Sequence, residues 1–303
     1  MRWLFIGGGN MASSLVGGLL ASGSQPDAIA VVDPDETTCR TISERFAVMA
    51  KPHTDALFEQ ASQWRDAQDD TLGVVLAVKP GIARTACESL ASAGFAGKPA
   101  LLSVAAGVRG ASLQSWLGTA TSTQADRADR ADRADRADWT VMRCMPNTPA
   151  LLGKGASALY PGEATAAQRD AALALLSAVG TTVTVANEDD IDAVTALSGS
   201  GPAYVFRLAE LMIENGVALG LGPAEAAQLG IATIEGAAAM LSAGEDDPAT
   251  LRRKVTSPGG TTAAALEQFT ASGLEACIER GMKAAQLRAR ELGEQMNDTP
   301  PSD

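Results

Sequence analysis

Short apolar runs alternate with glycine turns and stretches of helical period through the first half of the chain. Residues 2–6 are mostly apolar and stop at Gly7-Gly8-Gly9. A helical pattern follows from Met11 to about Ala21, with Leu15, Leu19 and Leu20 on one side. A second apolar run, 28–32, is closed by Asp33-Pro34. Strand, glycine turn, helix and strand in close succession make a βαβ unit. The runs at 73–78 (GVVLAV) and 100–105 (ALLSVA) lack polar–apolar alternation. That is the pattern of parallel strands buried on both faces. Residues 140–145 form a further strand candidate. The first half thus predicts an open, doubly wound, mostly parallel sheet with helices on both faces.

After residue 164 the period changes. Helical patterns cover about 165–179, 189–197, 202–219, 223–241, 262–271 and 274–295, and only 181–185 reads as a strand. The ends carry suitable signals: Pro202 and Pro223 sit in first turns, and Gly180, Gly244 and Gly273 follow stops. The expected class is therefore α/β plus all-α. A nucleotide-binding domain is expected over 1–163, an all-helical domain over 164–296 and a disordered tail over 297–303. The helices at 202–219, 223–241 and 274–295 are apolar and rich in small residues. They are expected to bury those faces against a second copy, as a homodimer.

Composition narrows the partners. The chain is 46% hydrophobic and 20% charged, which suits a globular core, and its formal charge is −12. A net negative charge argues against nucleic acid or an anionic membrane surface as the main partner. The opening apolar run is too short for an export signal or a membrane span, so a cytoplasmic protein is expected. Four scattered cysteines, none in a Cys-x-x-Cys pair, suit free thiols and no zinc framework. The single histidine, His53, reads as an exposed loop residue and excludes a multi-histidine metal site. Residues 125–138 repeat the triplet Ala-Asp-Arg, read as a solvated insert of mixed charge without a role in chemistry.

Candidate chemistry lies at the ends of these elements. Gly7-Gly8-Gly9-Asn10-Met11-Ala12 fits G-x-G-x-x-A between a strand and a helix, which points to a dinucleotide pyrophosphate at the helix N-terminus. Asp33 closes the second strand, where an acidic side chain can accept from an adenosine ribose or simply start an Asp-Pro turn. Lys79-Pro80 and Ala105-Ala106-Gly107 follow strands and are placed to line a cofactor cleft, though a surface lysine and a turn glycine would look the same. Arg143-Cys144-Met145-Pro146-Asn147-Thr148-Pro149 holds an Asn-Thr pair between prolines, either in a site or in a rigid linker. In Thr256-Ser257-Pro258-Gly259-Gly260-Thr261-Thr262, the amides of Thr261 and Thr262 form a carboxylate-binding nest, and Thr262 also suits a helix cap.

Taken together, FIGGGNMA (5–12), AVKPGI (77–82), SVAAGV (103–108), RCMPNTPALLGKGAS (143–157), DAVTALSGSGPAYVF (192–206) and KVTSPGGTTAAAL (254–266) resemble the pyrroline-5-carboxylate reductase family over nearly the whole chain. The resemblance implies a Rossmann-type N-terminal domain and a helical dimerisation domain. It also implies a homodimer, often assembled as a ring of five dimers, and reduction of L-1-pyrroline-5-carboxylate to L-proline with NADPH or NADH. By the same resemblance the cofactor meets Ile6, Gly7, Gly8, Gly9, Asn10, Met11, Asp33, Ala77, Val78, Lys79, Pro80, Val104, Ala105 and Ala106. The substrate carboxylate sits at Gly260, Thr261 and Thr262, with Ser257 shaping the loop and the Thr262 hydroxyl facing the ring nitrogen. The substrate pocket would lie between helices of two subunits. Asp33 departs from the Ser or Thr of NADPH-preferring relatives and puts that preference in doubt.

A chain without a histidine in its second half suits imine reduction, because the ring nitrogen can be protonated by water and no strong protein acid is required. Two other readings share the layout. A 3-hydroxy acid dehydrogenase would need a helical lysine as acid/base, and after residue 160 only Lys254 and Lys283 occur, neither in the expected Gly-x-x-x-Lys-x-x-x-Asn setting. A protein that binds NAD(P)H without turnover is the other.

Overall fold

The computed structural model describes residues 1–65, 72–95, 97–118 and 138–298. The Ala-Asp-Arg repeat, except Asp138, and the tail beyond Asp298 lie outside the described residues. The chain divides into two compact units, Met1–Gly199 with Ala285–Asp303, and Ser200–Ala284.

The first unit is built on an eight-stranded sheet in the order β3-β2-β1-β4-β5-β6-β7-β8. Its strands are β1 (Arg2–Ile6), β2 (Ile29–Val32), β3 (Met49–Lys51), β4 (Leu72–Leu76), β5 (Ala100–Ser103), β6 (Thr140–Met145), β7 (Gly155–Tyr160) and β8 (Gly180–Thr184). All neighbours are parallel except β6 and β7. The helices are α1 (Asn10–Ala21), α2 (Glu36–Phe46), α3 (Thr54–Gln60), α4 (Ser62–Arg65), α5 (Ala83–Ser92), α6 (Gly110–Trp116), α7 (Ala166–Ser177) and α8 (Asp190–Val194).

The unalternated apolar runs are explained by two cores, one on each face. Leu4 and Ile6 of β1 pack with α3, α4, α5 and α6, whereas Trp3 and Phe5 pack with α1, α2 and α7. Gly73 of β4 leaves room for the Trp3 ring, which a Cβ at that position would approach to 2.4 Å. Three of the four cysteines are buried in this unit. Burial pushes the Cys87 and Cys144 thiols up to about 12 and raises that of Cys39. Since the thiolate is the reactive form, these three should resist alkylation in the native protein at pH 8 and react on unfolding. Mass spectrometry of iodoacetamide-treated protein checks this.

The structure corrects the expected boundary at 163/164. β7, α7 and β8 belong to the first unit, because β7 turns back antiparallel on β6 and β8 extends the same sheet. The division falls at Gly199/Ser200, and the chain rejoins the first unit at Ala285. The helix expected over 189–197 is α8 followed by a π-helical turn, Thr195–Gly199. Gly199 lies against the end of the Met145 side chain, whose Cε a Cβ there would approach to 2.5 Å.

The second unit contains α9 (Gly201–Ala218), α10 (Pro223–Ala243), α11 (Pro248–Lys254), α12 (Thr261–Ala271) and the beginning of α13 (Leu274–Asp298). The expected disordered tail from 297 is corrected as far as Asp298, which is still helical. α9 and α10 form a hairpin in which Gly230 meets Ile213 and Gly216 meets Ala226. Ala226 and Gly230 are the buried residues of α10, and α9, α11 and α12 have none among the described residues. Phe206, Leu208, Leu229, Ile231 and Phe269 are each more than half exposed. α10 is long and apolar enough to cross a bilayer by length and composition.

Candidate active site

The order of the sheet reverses between β1 and β4, and open parallel sheets bind ligands outside the carboxyl ends of strands at such a point. Gly7 stands there with φ +98, its N–H donating to the Val32 carbonyl at 2.8 Å. A Cβ on Gly7 would lie 2.6 Å from the Ala77 carbonyl oxygen, so the two strand ends approach only over glycine. Gly8 faces α2, where a Cβ would meet Thr38 at 2.6 Å and Ile42 at 2.7 Å. Gly9 faces open space, with nothing within 4 Å of its Cβ position. Gly9 is also the N-cap of α1, and no side chain caps the helix. The first-turn amides therefore remain available to an anion, which fits the pyrophosphate of a dinucleotide.

A cleft of about 640 Å³ opens at these strand ends, lined among others by Ile6, Gly7, Val32, Pro34 and Val78. Of the expected cofactor residues it contains Ile6, Gly7 and Val78. Lys79 leads into the 3-10 turn Pro80–Ile82, and Ile82 extends into the cleft. Val104, Ala105 and Ala106 follow β5, which pairs with β4, and the Ala105 N–H donates to Oγ of the buried Ser103 at 3.3 Å. Asn10 and Met11 lie in the first turn of α1.

Asp33 does not line the cleft. Its Oδ2 accepts from the Gly8 N–H at 2.7 Å, and its Oδ1 accepts from the Asp35 N–H at 3.0 Å. The carboxylate is thus tied to the glycine turn itself. His53 is exposed, as expected, but it also borders the cleft together with Thr54 and Thr85. His53 and Thr54 are placed by β3, a three-residue strand whose sequence, Met-Ala-Lys, carries no strand signal, whereas Thr85 lies on α5.

The Asn147 side chain, 8% exposed, joins two segments. Its Nδ2 donates to the Ser198 carbonyl at 3.0 Å, and its Oδ1 accepts from the Ala156 N–H at 2.9 Å. Asn147 therefore fixes the π-helical turn against β7.

In the second unit, Ser257-Pro258-Gly259-Gly260 forms a tight turn. The Gly260 N–H donates to the Ser257 carbonyl at 3.0 Å, and Gly259 has φ +69. Proline followed by a positive-φ glycine at the central positions is the demand of a type II turn. The turn delivers the chain into α12 with Gly260 as N-cap and no side-chain cap. Thr262 is thus the second helical residue and not the cap. Among the described residues its hydroxyl has no hydrogen-bond partner, and the side chain is half-buried. The amides of Thr261 and Thr262 point out of the first turn. Lys254 and Lys283 pair with Asp246 and Glu279 and are more than half exposed. Neither has the burial that tunes a lysine for proton transfer.

Residues 188–292 match the pyrroline-5-carboxylate reductase dimerisation family, and residues 3–107 match the family described as NADP oxidoreductase, coenzyme F420-dependent. The pyrroline-5-carboxylate reductase of Pseudomonas aeruginosa is 43% identical over 296 residues, covering 97% of this chain and 98% of that protein. The chain belongs to the pyrroline-5-carboxylate reductase family. The Arabidopsis thaliana enzyme is 34% identical over 96% of this chain and 95% of its own. The solved structure of a pyrroline-5-carboxylate reductase from Coxiella burnetii superposes with a TM-score of 0.81 at 33% identity, covering 96% of this chain and 98% of that one. The family's dimerisation match begins at Glu188, so it includes α8 and the π-helical turn of the first unit as well as the second unit.

Proposed function

We propose that the chain reduces L-1-pyrroline-5-carboxylate to L-proline with NADPH or NADH, the last step of proline biosynthesis. The observation that carries this reading is the open glycine turn at the switch point of the sheet, in a chain of this family. The first unit is the nucleotide-binding domain and the second the substrate and dimerisation domain. When bound, the dinucleotide supplies the hydride.

The amides that follow Gly9 hold the pyrophosphate. Asp33 stiffens the turn and presents negative charge near the ribose. Val78, Lys79 and Pro80 on one strand end and Val104, Ala105 and Ala106 on the next orient the nicotinamide end. The amides of Thr261 and Thr262 hold the substrate carboxylate, helped by the positive end of α12. Oγ1 of Thr262 engages the ring nitrogen, and Ser257 shapes the loop through its carbonyl. Proton delivery to the nitrogen from water suits a second unit without histidine.

The exposed apolar faces of α9, α10 and α12 are covered by a second copy, and a ring of five dimers is the larger assembly. The protein works in the cytoplasm. Purified protein given pyrroline-5-carboxylate should oxidise NADPH and NADH and should not reduce NAD(P)+ with 3-hydroxy acids. Reduction with 3-hydroxy acids, or binding of nucleotide without turnover, would replace this reading.

Asp33 makes NADH at least competitive with NADPH. The 2′-phosphate of NADPH carries nearly two negative charges. At about 4 Å each like charge costs roughly 1 kcal/mol in water, and two amount to more than about tenfold discrimination. Asp33→Ser should raise kcat/KM for NADPH and lower it for NADH. Asp33→Asn, which keeps an acceptor for the Gly8 N–H and gives up the one that the Asp35 N–H uses, removes the charge with less change to the turn than Asp33→Ser. A wild type preferring NADPH by about tenfold or more, unaltered by either substitution, contradicts the assignment.

A further inference from the structure

The loop after β5 carries Val104, Ala105 and Ala106 and turns into α6. Behind it lies the end of α13, residues 285–298, which belongs to the first unit. Gly107 has φ +77, and its Cβ position is 3.3 Å from the Ala289 carbonyl oxygen and 3.3 Å from the Gly293 nitrogen. A Cβ on Gly293 would stand 2.5 Å from the Gly107 carbonyl oxygen. Loop and helix therefore touch backbone to backbone, and a side chain on either glycine would separate them.

Charged groups fasten the same loop from a second side. Arg109 donates through Nη1 to Asp189 at 2.6 Å and through Nη2 to Asp192 at 3.0 Å. Asp192 is 1% exposed and also faces Nε of Arg290 on α13 at 3.6 Å. Oε1 of Glu188 accepts from the Gly110 N–H at 2.7 Å and from Nη1 of Arg143 at 2.9 Å. Arg143 is 2% exposed, so Glu188 is the anion that compensates it while holding the first amide of α6.

We infer that the end of α13 and the carboxylates of Glu188, Asp189 and Asp192 form a brace that positions Val104–Ala106 and so sets the affinity for the dinucleotide. These are positioning residues, and the inference rests on the reading of that loop as part of the cofactor site. Its effect passes through the Gly107 backbone and the start of α6.

The test is the Kd of NADPH, read by nucleotide fluorescence, with steady-state kinetics and Tm on the full chain. Gly293→Ala should raise Kd and KM for NADPH by about fivefold or more, with kcat within about twofold, since misplacing a binding group weakens binding before chemistry. Its Tm should fall as well, because the added methyl meets the Gly107 carbonyl oxygen at 2.5 Å, so Kd is read at a temperature where the variant is folded. Arg290→Gln, on a half-exposed residue, should shift Kd in the same direction, and Arg290→Lys should restore it. Unchanged Kd in folded Gly293→Ala and Arg290→Gln overturns the brace alone. A wild type that binds neither NADPH nor NADH overturns the cofactor reading, and the brace with it.

Discussion

Gly7→Ala should abolish measurable nucleotide binding and lower Tm, whereas Gly9→Ala should weaken binding with little change in Tm. At Gly7 two costs coincide. The residue has φ +98, and a Cβ would lie 2.6 Å from the Ala77 carbonyl oxygen and 2.9 Å from its carbon. Backbone atoms held in a strand ladder cannot rotate away as a flexible side chain can. The strained conformation alone costs about 1–3 kcal/mol, and the steric overlap adds to it. Against a typical stability of about 5–15 kcal/mol, the chain can still fold, but with the ends of β1 and β4 forced apart. At Gly9 φ is −67 and no atom lies within 4 Å of the Cβ position. The methyl group costs the fold almost nothing, yet it enters the space in front of the uncapped amides of α1. Loss of binding in both variants, with loss of Tm in Gly7→Ala alone, separates the turn's structural duty from its ligand duty. Full NADPH affinity in Gly9→Ala would show that the phosphates do not lie there.

Thr262→Val should lower kcat by roughly tenfold to a hundredfold while leaving the Kd for NADPH unchanged. Valine keeps the branched shape at the second position of α12 and removes only the hydroxyl. That hydroxyl caps nothing: Gly260 is the N-cap and no side chain caps the helix. Stability should therefore hold. A hydrogen bond to a group that becomes charged during reaction is worth about 1.5–3 kcal/mol, which sets the size of the loss in kcat. Thr262→Ser, which retains the hydroxyl, should recover most of the rate. Full turnover in Thr262→Val with a lower Tm would make the residue a structural one.

The glycine turn was legible because three local signals coincide: an apolar run, three glycines and a helical period from Met11. The parallel order followed from runs without alternation, and the two-faced packing of Trp3, Leu4, Phe5 and Ile6 is the physical cause of that pattern. β3 was missed because three residues cannot display a period, and with it the approach of His53 and Thr54 to the cleft. β7 was missed because Gly-Ala-Ser-Ala-Leu-Tyr is mostly small residues and pairs antiparallel at the far side of a parallel sheet. That omission also misplaced the unit boundary. Asp33 was read by position as a ribose acceptor or a turn starter, and its carboxylate bonds to the backbone of Gly8 and Asp35, partners that position alone does not reveal. Helix signals do not tell which unit a helix packs on, so the return of α13 to the first unit left no trace in the sequence. Glu188 and Arg143, 45 positions apart, meet only through the tertiary fold.

The chain carries a hydride from a reduced nicotinamide to the imine carbon of pyrroline-5-carboxylate. Label transfer tests it most directly. The protein is incubated with pyrroline-5-carboxylate and NADPH or NADH bearing deuterium at the transferable C4 position, and the product is analysed by mass spectrometry. The expected product is L-proline with a single deuterium on the former imine carbon, formed in step with nucleotide oxidation, and formed about tenfold to a hundredfold more slowly when Thr262→Val replaces the wild type. Unlabelled proline, or nucleotide oxidation without proline, would contradict it.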